Sequence, residues 1–579
     1  MKVVIVGGVA GGASAAARLR RLDESAQIIV FERSGYVSYA NCGLPYYIGG
    51  VIENRDLLTL QTPKSFKSRF NIDVHVHHEV VAIHRDRKAV TVRNLETGAE
   101  FEETYDKLIL SPGARPIRPP MPGLESKRLF TLRTVEDTLQ IRDFVEKEKP
   151  RRAVLAGGGF IGLELAENLC EMGVEVTIVQ MLDQLLTPLD KDMASFVHAR
   201  FRAKGVHLML KTAVSGFEER EGCILTHVDG GEPLCSEMAI LAIGVSPDSS
   251  LAREAGLALG ARGAISVDEH MRTSDPDIYA VGDAVQVRNA VTGSLGLVSL
   301  AGPANKQGRI AADHLCGLDS AYHGAYASSV IKVFDMTAAA TGINEHAAKE
   351  AGLSYEKIVL SPENHASYYP GGRAMTIKLL YEKESLRILG AQIVGFDGVD
   401  KRIDVLATAM QAGMKAPELA CLDLAYAPPY SSAKDPVNMA GFIAENIETG
   451  KVKQFHYEDL ADLRSRPGVT LLDTRTVGEY AAGHAEGFIN IPLDSLRDRL
   501  AELDAHQPVY VMCQSGLRSY LACRILSQHG YECYNFSGGY RLYRAIVENA
   551  FNEQANTRYC QELCAKSVCR LRLNEVSQQ

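Results

Sequence analysis

Tryptophan is absent from this chain of 579 residues, and cysteine is sparse at twelve. So few thiols over that length exclude the dense cross-linking of a small secreted scaffold. No apolar run reaches the roughly 18 residues that a membrane helix needs. Long basic runs are also missing, and the net charge of −9, from 71 acids and 62 bases, speaks against a nucleic-acid surface. The lack of tryptophan limits stacking platforms without excluding them. Hydrophobic residues at 46% and charged residues at 23% give the ordinary globular balance, which excludes wholesale disorder. At about 150 residues per domain the length suggests about four domains.

The N-terminus imitates an export signal. Lys2, the apolar run Val3 to Val9 and the small residues Ala15 to Ala17 have the right order. Gly7, Gly8, Gly11 and Gly12 interrupt the run, however, and they fit a structural turn better. Read as structure, this start implies a cytoplasmic protein, not in a membrane, with mostly reduced thiols. Single cysteines then become candidates for chemistry.

Two segments about 150 residues apart share one pattern. The first runs from the strand-like Lys2–Val6 through the turn Gly7-Gly8-Val9-Ala10-Gly11-Gly12 and an Ala-rich helix to a strand ending at Glu32. The second runs from Ala153–Ala156 through Gly157-Gly158-Gly159-Phe160-Ile161-Gly162 and a helix to a strand ending at Gln180. Strand, glycine turn, helix and strand form the βαβ unit of a dinucleotide site, where a pyrophosphate rests on free N–H groups at the helix start. Val9 replaces the middle glycine of the first turn, whereas Gly157, Gly159 and Gly162 complete the second. Glu32 is placed to hold a ribose hydroxyl; Gln180 in the same place repels a 2′-phosphate less than Glu would. With no Lys or Arg from there until Lys191, no phosphate clamp is visible, so NADH is favoured and NADPH tolerated.

Cys42 follows the first unit within Ser38-Tyr-Ala-Asn41-Cys42-Gly-Leu-Pro45-Tyr-Tyr47. Here the chain resembles the pyridine nucleotide-disulfide oxidoreductases, in their single-cysteine branch of coenzyme A-disulfide reductases, NADH oxidases and NADH peroxidases. Tyr47 stands where the dithiol branch has its second cysteine, so Cys42 would store its oxidising equivalent as a mixed disulfide, persulfide or sulfenic acid. The stretches Thr273–Asp283 and Leu300–Gly308 resemble the family's second flavin motif and the helix beneath the flavin ring. The resemblance implies FAD on the first turn (Gly7 to Gly12), with Glu32, Arg33, Ser111, Pro112, Gly113, Gly282, Asp283 and Ala301. It implies a nicotinamide on Gly157, Gly159, Phe160, Ile161, Gly162, Gln180 and Gly244, with Phe160 as a swinging gate.

Within the branch, Ala10 stands where the oxidases and peroxidases carry a histidine. The stretches His365–Gly372 and Leu424–Tyr430 resemble those of coenzyme A-disulfide reductases. Tyr368 and Tyr426 would then be phenols from the partner subunit that flank the coenzyme A sulfur, packing residues being the alternative. Arg18 and Arg21 share a helix face, and by resemblance Ser14, Arg18, Arg21, Ser38, Asn41 and Lys434 occupy coenzyme A positions; solvated surface bases are the alternative.

Residues 456–548 resemble a rhodanese domain through Thr470–Arg475, His484, Gly487–Pro492 and Val509–Ser519. Its loop would aim N–H groups at Cys513 and, with Arg518, stabilise a thiolate or persulfide. A phosphatase-like anion loop is the alternative. Cys560, Cys564 and Cys569 match no zinc spacing, and no metal is expected. The other seven cysteines are expected to be buried small hydrophobes.

The expected fold is α/β. A discontinuous Rossmann-like three-layer FAD domain takes 1–118 and 243–322, and a similar NAD(P)H domain 119–242. An α+β dimerisation domain follows over 323–450, then an α/β rhodanese domain, separable behind a short linker, and a tail from 549. The resemblance implies a homodimer in which NADH reduces FAD and FAD reduces Cys42. Cys42 would attack a coenzyme A persulfide, polysulfide or disulfide, with sulfane sulfur supplied by Cys513. Disulfide reduction for redox balance, NADH oxidase activity and a sulfur relay to another protein are the rivals.

Overall fold

Alternation along the strand Lys2–Val6 builds the first layer structure. Val3 and Ile5 pack with Ala15, Ala16 and Leu19 of the helix Ala10–Leu22, whereas Val4 and Val6 pack on the opposite face with Val90 and Val92. A strand buried on both faces needs apolar residues at every position, which is why this run does not alternate in polarity. The computed structural model describes residues 1–550 and 552, so the three tail cysteines lie outside the described residues.

Lys2–Val6 is the centre of a five-stranded parallel sheet, in the order Ile278–Ala280, Lys107–Leu110, Lys2–Val6, Gln27–Phe31, Asp73–His75. Strands from both ends of a 280-residue stretch thus share one sheet. A second parallel sheet lies inside that stretch, in the order His207–Leu210, Glu175–Gln180, Arg152–Ala156, Met238–Leu241, Leu129–Phe130. Each has its glycine turn at the carboxyl end of its central strand, where open α/β sheets bind ligands.

The chain forms two units. One holds Met1–Met181 and Gly205–Ala327; the other holds Leu182–Lys204 and the described residues from Ser328 to 550. The second unit contains a five-stranded antiparallel sheet ordered Ser329–Val333, Met336–Gly342, Ile388–Gly395, Thr376–Glu382, Tyr355–Leu360. It also contains a five-stranded parallel sheet ordered Lys453–Phe455, Cys533–Phe536, Val509–Met512, Thr470–Asp473, Ile489–Asn490. The helix Lys191–Ala203 lies, by sequence, within the segment expected to bind nicotinamide, yet it packs in the second unit.

The C-terminal parallel-sheet region follows a short connection. Its first strand, Lys453–Phe455, begins three residues after the helix Pro436–Glu448 has closed at Gly450, and Ile447 of that helix already packs against its core. Lys357 bridges Glu345 and Glu458 at 3.0 and 2.9 Å, and His456 lies 3.8 Å from Glu356. Lys378, fully buried, meets Asp190, Asp192 and Glu345. Burial opposes its charge, but the three carboxylates outweigh that and raise its pKa. The region expected behind a short linker thus also packs against the antiparallel-sheet region. Among the described residues no helix is long and apolar enough to cross a membrane.

Candidate active site

The first turn is shaped by close approach. Gly7 has φ +91°, and a Cβ there would fall 2.1 Å from the Ser111 carbonyl oxygen; one on Gly12 would fall 1.9 Å from that of Gly7. Glycine is the residue that fits. Val9 caps the helix Ala10–Leu22 without a side-chain hydrogen bond, so its side chain leaves the helix-start N–H groups to a ligand. Buried Glu32 accepts from Gly8 N–H on Oε2 and from Ser34 N–H on Oε1, both at 2.9 Å, which fixes its carboxylate beside the turn. Ser111, Pro112 and Gly113 follow the neighbouring strand, and Gly282-Asp283 open a short helical turn after Ile278–Ala280. Asp283 pairs with Arg133 at 2.7 Å, Gly282 N–H donates to Gln307, and Ala301 opens the helix Ala301–Leu315. Arg33 is held by Asp248 at 3.0 Å and points its charge there. These residues fit a dinucleotide.

The second turn repeats the arrangement with one difference. Cβ atoms on Gly157 and Gly162 would fall 2.3 and 2.2 Å from carbonyl oxygens, but one on Gly159 would meet nothing within 4 Å. Gly159 caps the helix Phe160–Glu171, and the Gln180 side chain accepts from Gly158 N–H at 3.4 Å. Ile161 is half-buried beside Phe160, and Gly244, at φ +123°, follows the strand Met238–Leu241. Open space at Gly159 beside a free helix start fits a second dinucleotide.

Cys42 sits in the short turn Asn41–Gly43, fixed by the helix Leu44–Ile48 with Pro45 in its first turn. Solvent reaches one side of its thiol. The surrounding walls nevertheless withdraw enough water to push its pKa up, the carboxylates Glu164 and Asp283 adding and Arg133 opposing. Glu164 went unnoticed in the sequence. Burial, with Glu167 adding and the Tyr46 hydroxyl opposing, raises its pKa to about 7. It lies four residues after Phe160, hence on the same helix face, which was the available signal.

Ser14, Arg18, Arg21 and Ser38 line one cleft of roughly 380 Å³. Asn305, Arg309 and Phe66 line it too and were not anticipated. Arg18 is already paired with Asp313 at 2.5 Å, and Ser14 with Asn305. Asn41 is not on that wall, and Lys434, exposed, belongs to the other unit together with Tyr368 and Tyr426. Those two exposed phenols share a hydrogen bond of 2.5 Å, which raises the pKa of Tyr426.

Cys513 ends the strand Val509–Met512 and is buried. Its Sγ accepts from Gly516 N–H at 3.1 Å and from the Ser519 hydroxyl at 3.2 Å. Both Arg518 Nη atoms bind Glu479 at 2.7 Å, which holds the Glu479 pKa at about 2, and the guanidinium lies close enough to Cys513 to interact with a charge there. Asp473 and Arg475 form a buried pair, and His484 stacks on Tyr480. Of the seven other cysteines, Cys523 and Cys533 are buried as expected. Cys421 is exposed, and Cys170, Cys223, Cys235 and Cys316 are partly accessible, which corrects the expectation for those five.

Comparison with known proteins decides the family. Residues 1–308 match the pyridine nucleotide-disulphide oxidoreductases.

The chain belongs to that family.

Residues 328–436 match the family's dimerisation domain, and residues 456–546 match a rhodanese-like domain. A coenzyme A disulfide reductase of Staphylococcus aureus is 36% identical over 445 residues, which is 77% of this chain and 100% of the relative. The reduced CoADR-RHD of Bacillus anthracis is 49% identical, covering 94% of this chain and 98% of that one at a TM-score of 0.92. An NAD-dependent persulfide reductase from A. fulgidus is 39% identical, covering 94% and 100% at a TM-score of 0.88. As a pyridine nucleotide-disulphide oxidoreductase the chain is a flavin-dependent enzyme using FAD and NAD(P)H, with a rhodanese domain.

Proposed function

We propose that this oxidoreductase reduces coenzyme A disulfide and coenzyme A persulfide through Cys42, as a homodimer joined through residues 323–450. Bound FAD supplies the two-electron relay between reduced nicotinamide and Cys42. The observation that carries the reading is an accessible single thiol, Cys42, in the same unit as a cleft lined by Arg18, Arg21 and Arg309, a surface suited to a phosphorylated thiol. The Cys42 thiolate attacks the coenzyme A sulfur of the disulfide or persulfide. The S–S bond breaks, coenzyme A thiolate or hydrosulfide leaves, and a Cys42–S–S–coenzyme A mixed disulfide remains. Two electrons then return both sulfurs to thiolates. Tyr368 and Tyr426 of the second subunit hand a proton to the leaving thiolate, since their mutual hydrogen bond leaves one hydroxyl proton to give. Asn41 and Lys434 complete the coenzyme A contacts, and NADH is the preferred nicotinamide.

Cys513 takes a sulfane sulfur atom from a donor, including polysulfide, as a persulfide and passes it to coenzyme A thiolate. Coenzyme A persulfide is thereby made for Cys42. Two donors, the Gly516 N–H and the Ser519 hydroxyl, fix the Cys513 sulfur in place to receive a sulfane sulfur atom. Anaerobic turnover followed through the flavin, with coenzyme A persulfide, coenzyme A disulfide and peroxide side by side, is the test. Fast reoxidation by the first two and not by peroxide is expected; peroxide matching them would replace this reading with a peroxidase or oxidase. Cys513→Ser should slow sulfide release from polysulfide and leave coenzyme A disulfide reduction intact. Unchanged sulfide release would instead favour a rhodanese that serves another protein.

A further inference from the structure

The segment Ser537–Arg541 touches a different structure on each side. On one side it carries the Cys513 loop. Tyr540 N–H donates to the Cys513 carbonyl at 2.7 Å, and Arg541 N–H donates to the Gln514 carbonyl at 3.1 Å. A Cβ on Gly539 would fall 2.8 Å from the same Cys513 carbonyl oxygen, so the contact has no slack. The Tyr540 ring is clamped in turn, with the Arg475 guanidinium 3.8 Å from its centroid.

On the other side the segment meets the antiparallel sheet of the dimerisation domain. The Ser537 hydroxyl accepts from the buried N–H of Val359 at 2.9 Å. Arg541 Nε donates to Thr376 Oγ1 at 3.2 Å, and its guanidinium lies 5.5 Å from the Phe196 ring centroid. Ser537 and Arg541, which grip the sheet, flank Gly539 and Tyr540, which grip the loop. The same five residues therefore contact both the loop and the sheet.

We infer that Ser537–Arg541 is a strap through which the dimerisation sheet sets the geometry of the Cys513 loop. Ser537, Arg541 and Thr376 are then positioning residues for chemistry at Cys513. A loop that must aim an N–H group at one sulfur atom tolerates little displacement. The inference rests on Cys513 being a nucleophile, and adds that the neighbouring domain controls it.

The test uses the full-length, flavin-loaded protein. The rate at which iodoacetamide alkylates Cys513 is measured against pH by peptide mass, beside NADH-dependent reduction of coenzyme A disulfide. Ser537→Ala and Thr376→Val are each expected to change the alkylation rate by about three- to tenfold, which is what one lost hydrogen bond is worth, and to move its pH midpoint. Ser537→Thr, which keeps the hydroxyl, should restore the parent profile. Thr408→Val is the control, because the exposed Thr408 hydroxyl donates to the Asp404 carbonyl at 2.8 Å and bonds neither Thr376 nor the strap; it should leave the profile alone. Disulfide reduction at Cys42 should be unchanged throughout. Parent-like profiles in both Ser537→Ala and Thr376→Val would overturn the strap. If Ser537→Ala does not fold, Thr376→Val decides alone. A parent protein whose Cys513 resists alkylation at every pH would instead overturn the reading of Cys513 itself.

Discussion

Glu164 and Cys42 oppose each other's ionisation, since the carboxylate raises the thiol pKa. With its own pKa raised to about 7, Glu164 changes charge in the range where the enzyme would work. Glu164→Gln removes the repulsion, so the pH midpoint for alkylating Cys42 in the reduced protein should fall. The same variant has a stability signature. A folded pKa of about 7 against an ordinary 4.5 means that the native state holds the extra proton, and stability is lost as pH rises through that window. Glu164→Gln should therefore gain in melting temperature over the parent at pH 8 and show no gain at pH 4. Tyr368→Phe or Tyr426→Phe should lower turnover of coenzyme A disulfide about a hundredfold, the low end for general acid catalysis, with little change in its KM. A KM effect alone would reduce the pair to packing. Cys42 and Cys513 were readable because their signal is local spacing around one residue. Asn305, Arg309 and Phe66 were not, because they reach the cleft of Ser14 and Arg18 from separate helices. The position of Arg518 was legible too, but its carboxylate partner lies 39 residues away.

At the scale of elements the two glycine turns separate folding from binding. A side chain on Gly157 or Gly162 collides with backbone, whereas one on Gly159 enters open space. Gly159→Ala should leave the free energy of unfolding within about 0.5 kcal/mol of the parent, as changes without new contacts do. It should raise the KM for NADH, because the added methyl stands where the pyrophosphate approaches. An unchanged KM would place the nicotinamide elsewhere. The first and second sheets were legible through these turns, since a βαβ unit keeps its signal within about 30 residues. The helix Lys191–Ala203 shows the limit of such reading. Its sequence lies between strands of the second sheet, yet Lys378 and Gln392, nearly 200 residues on, bind its first turn and the Asp190 that caps it. Amphipathic periodicity reports that a face is buried but not against what.

At the largest scale, Lys378 ties together pieces of chain 186 residues apart. Lys378→Met leaves Asp190, Asp192 and Glu345 facing one another without their buried cation. Removing one partner of such a cluster costs about 3–5 kcal/mol, so the urea midpoint should fall sharply at neutral pH. Burial pushes the Glu345 pKa up, but Lys378 and Lys357 overrule it and hold it at about 2. A depressed carboxylate contributes stability above its ordinary value of 4.5 and loses it as pH falls through the folded value. The deficit of Lys378→Met should accordingly shrink below pH 4. A variant equally destabilised at every pH would point to lost packing instead.

The strand Tyr355–Leu360 is the last of its sheet, and one of its N–H groups is satisfied by a hydroxyl from the rhodanese domain. An uncovered sheet edge is a template for pairing with other chains, and natural proteins keep such edges short, charged or hidden. A chain ended at Gly450 would uncover this one, together with the Phe196 ring that Arg541 now shields. The hydroxyl of Ser537 thus leaves the Val359 N–H unavailable for pairing with another chain. The truncated enzyme should aggregate on storage unless the edge is blunted, for instance by Val359→Lys.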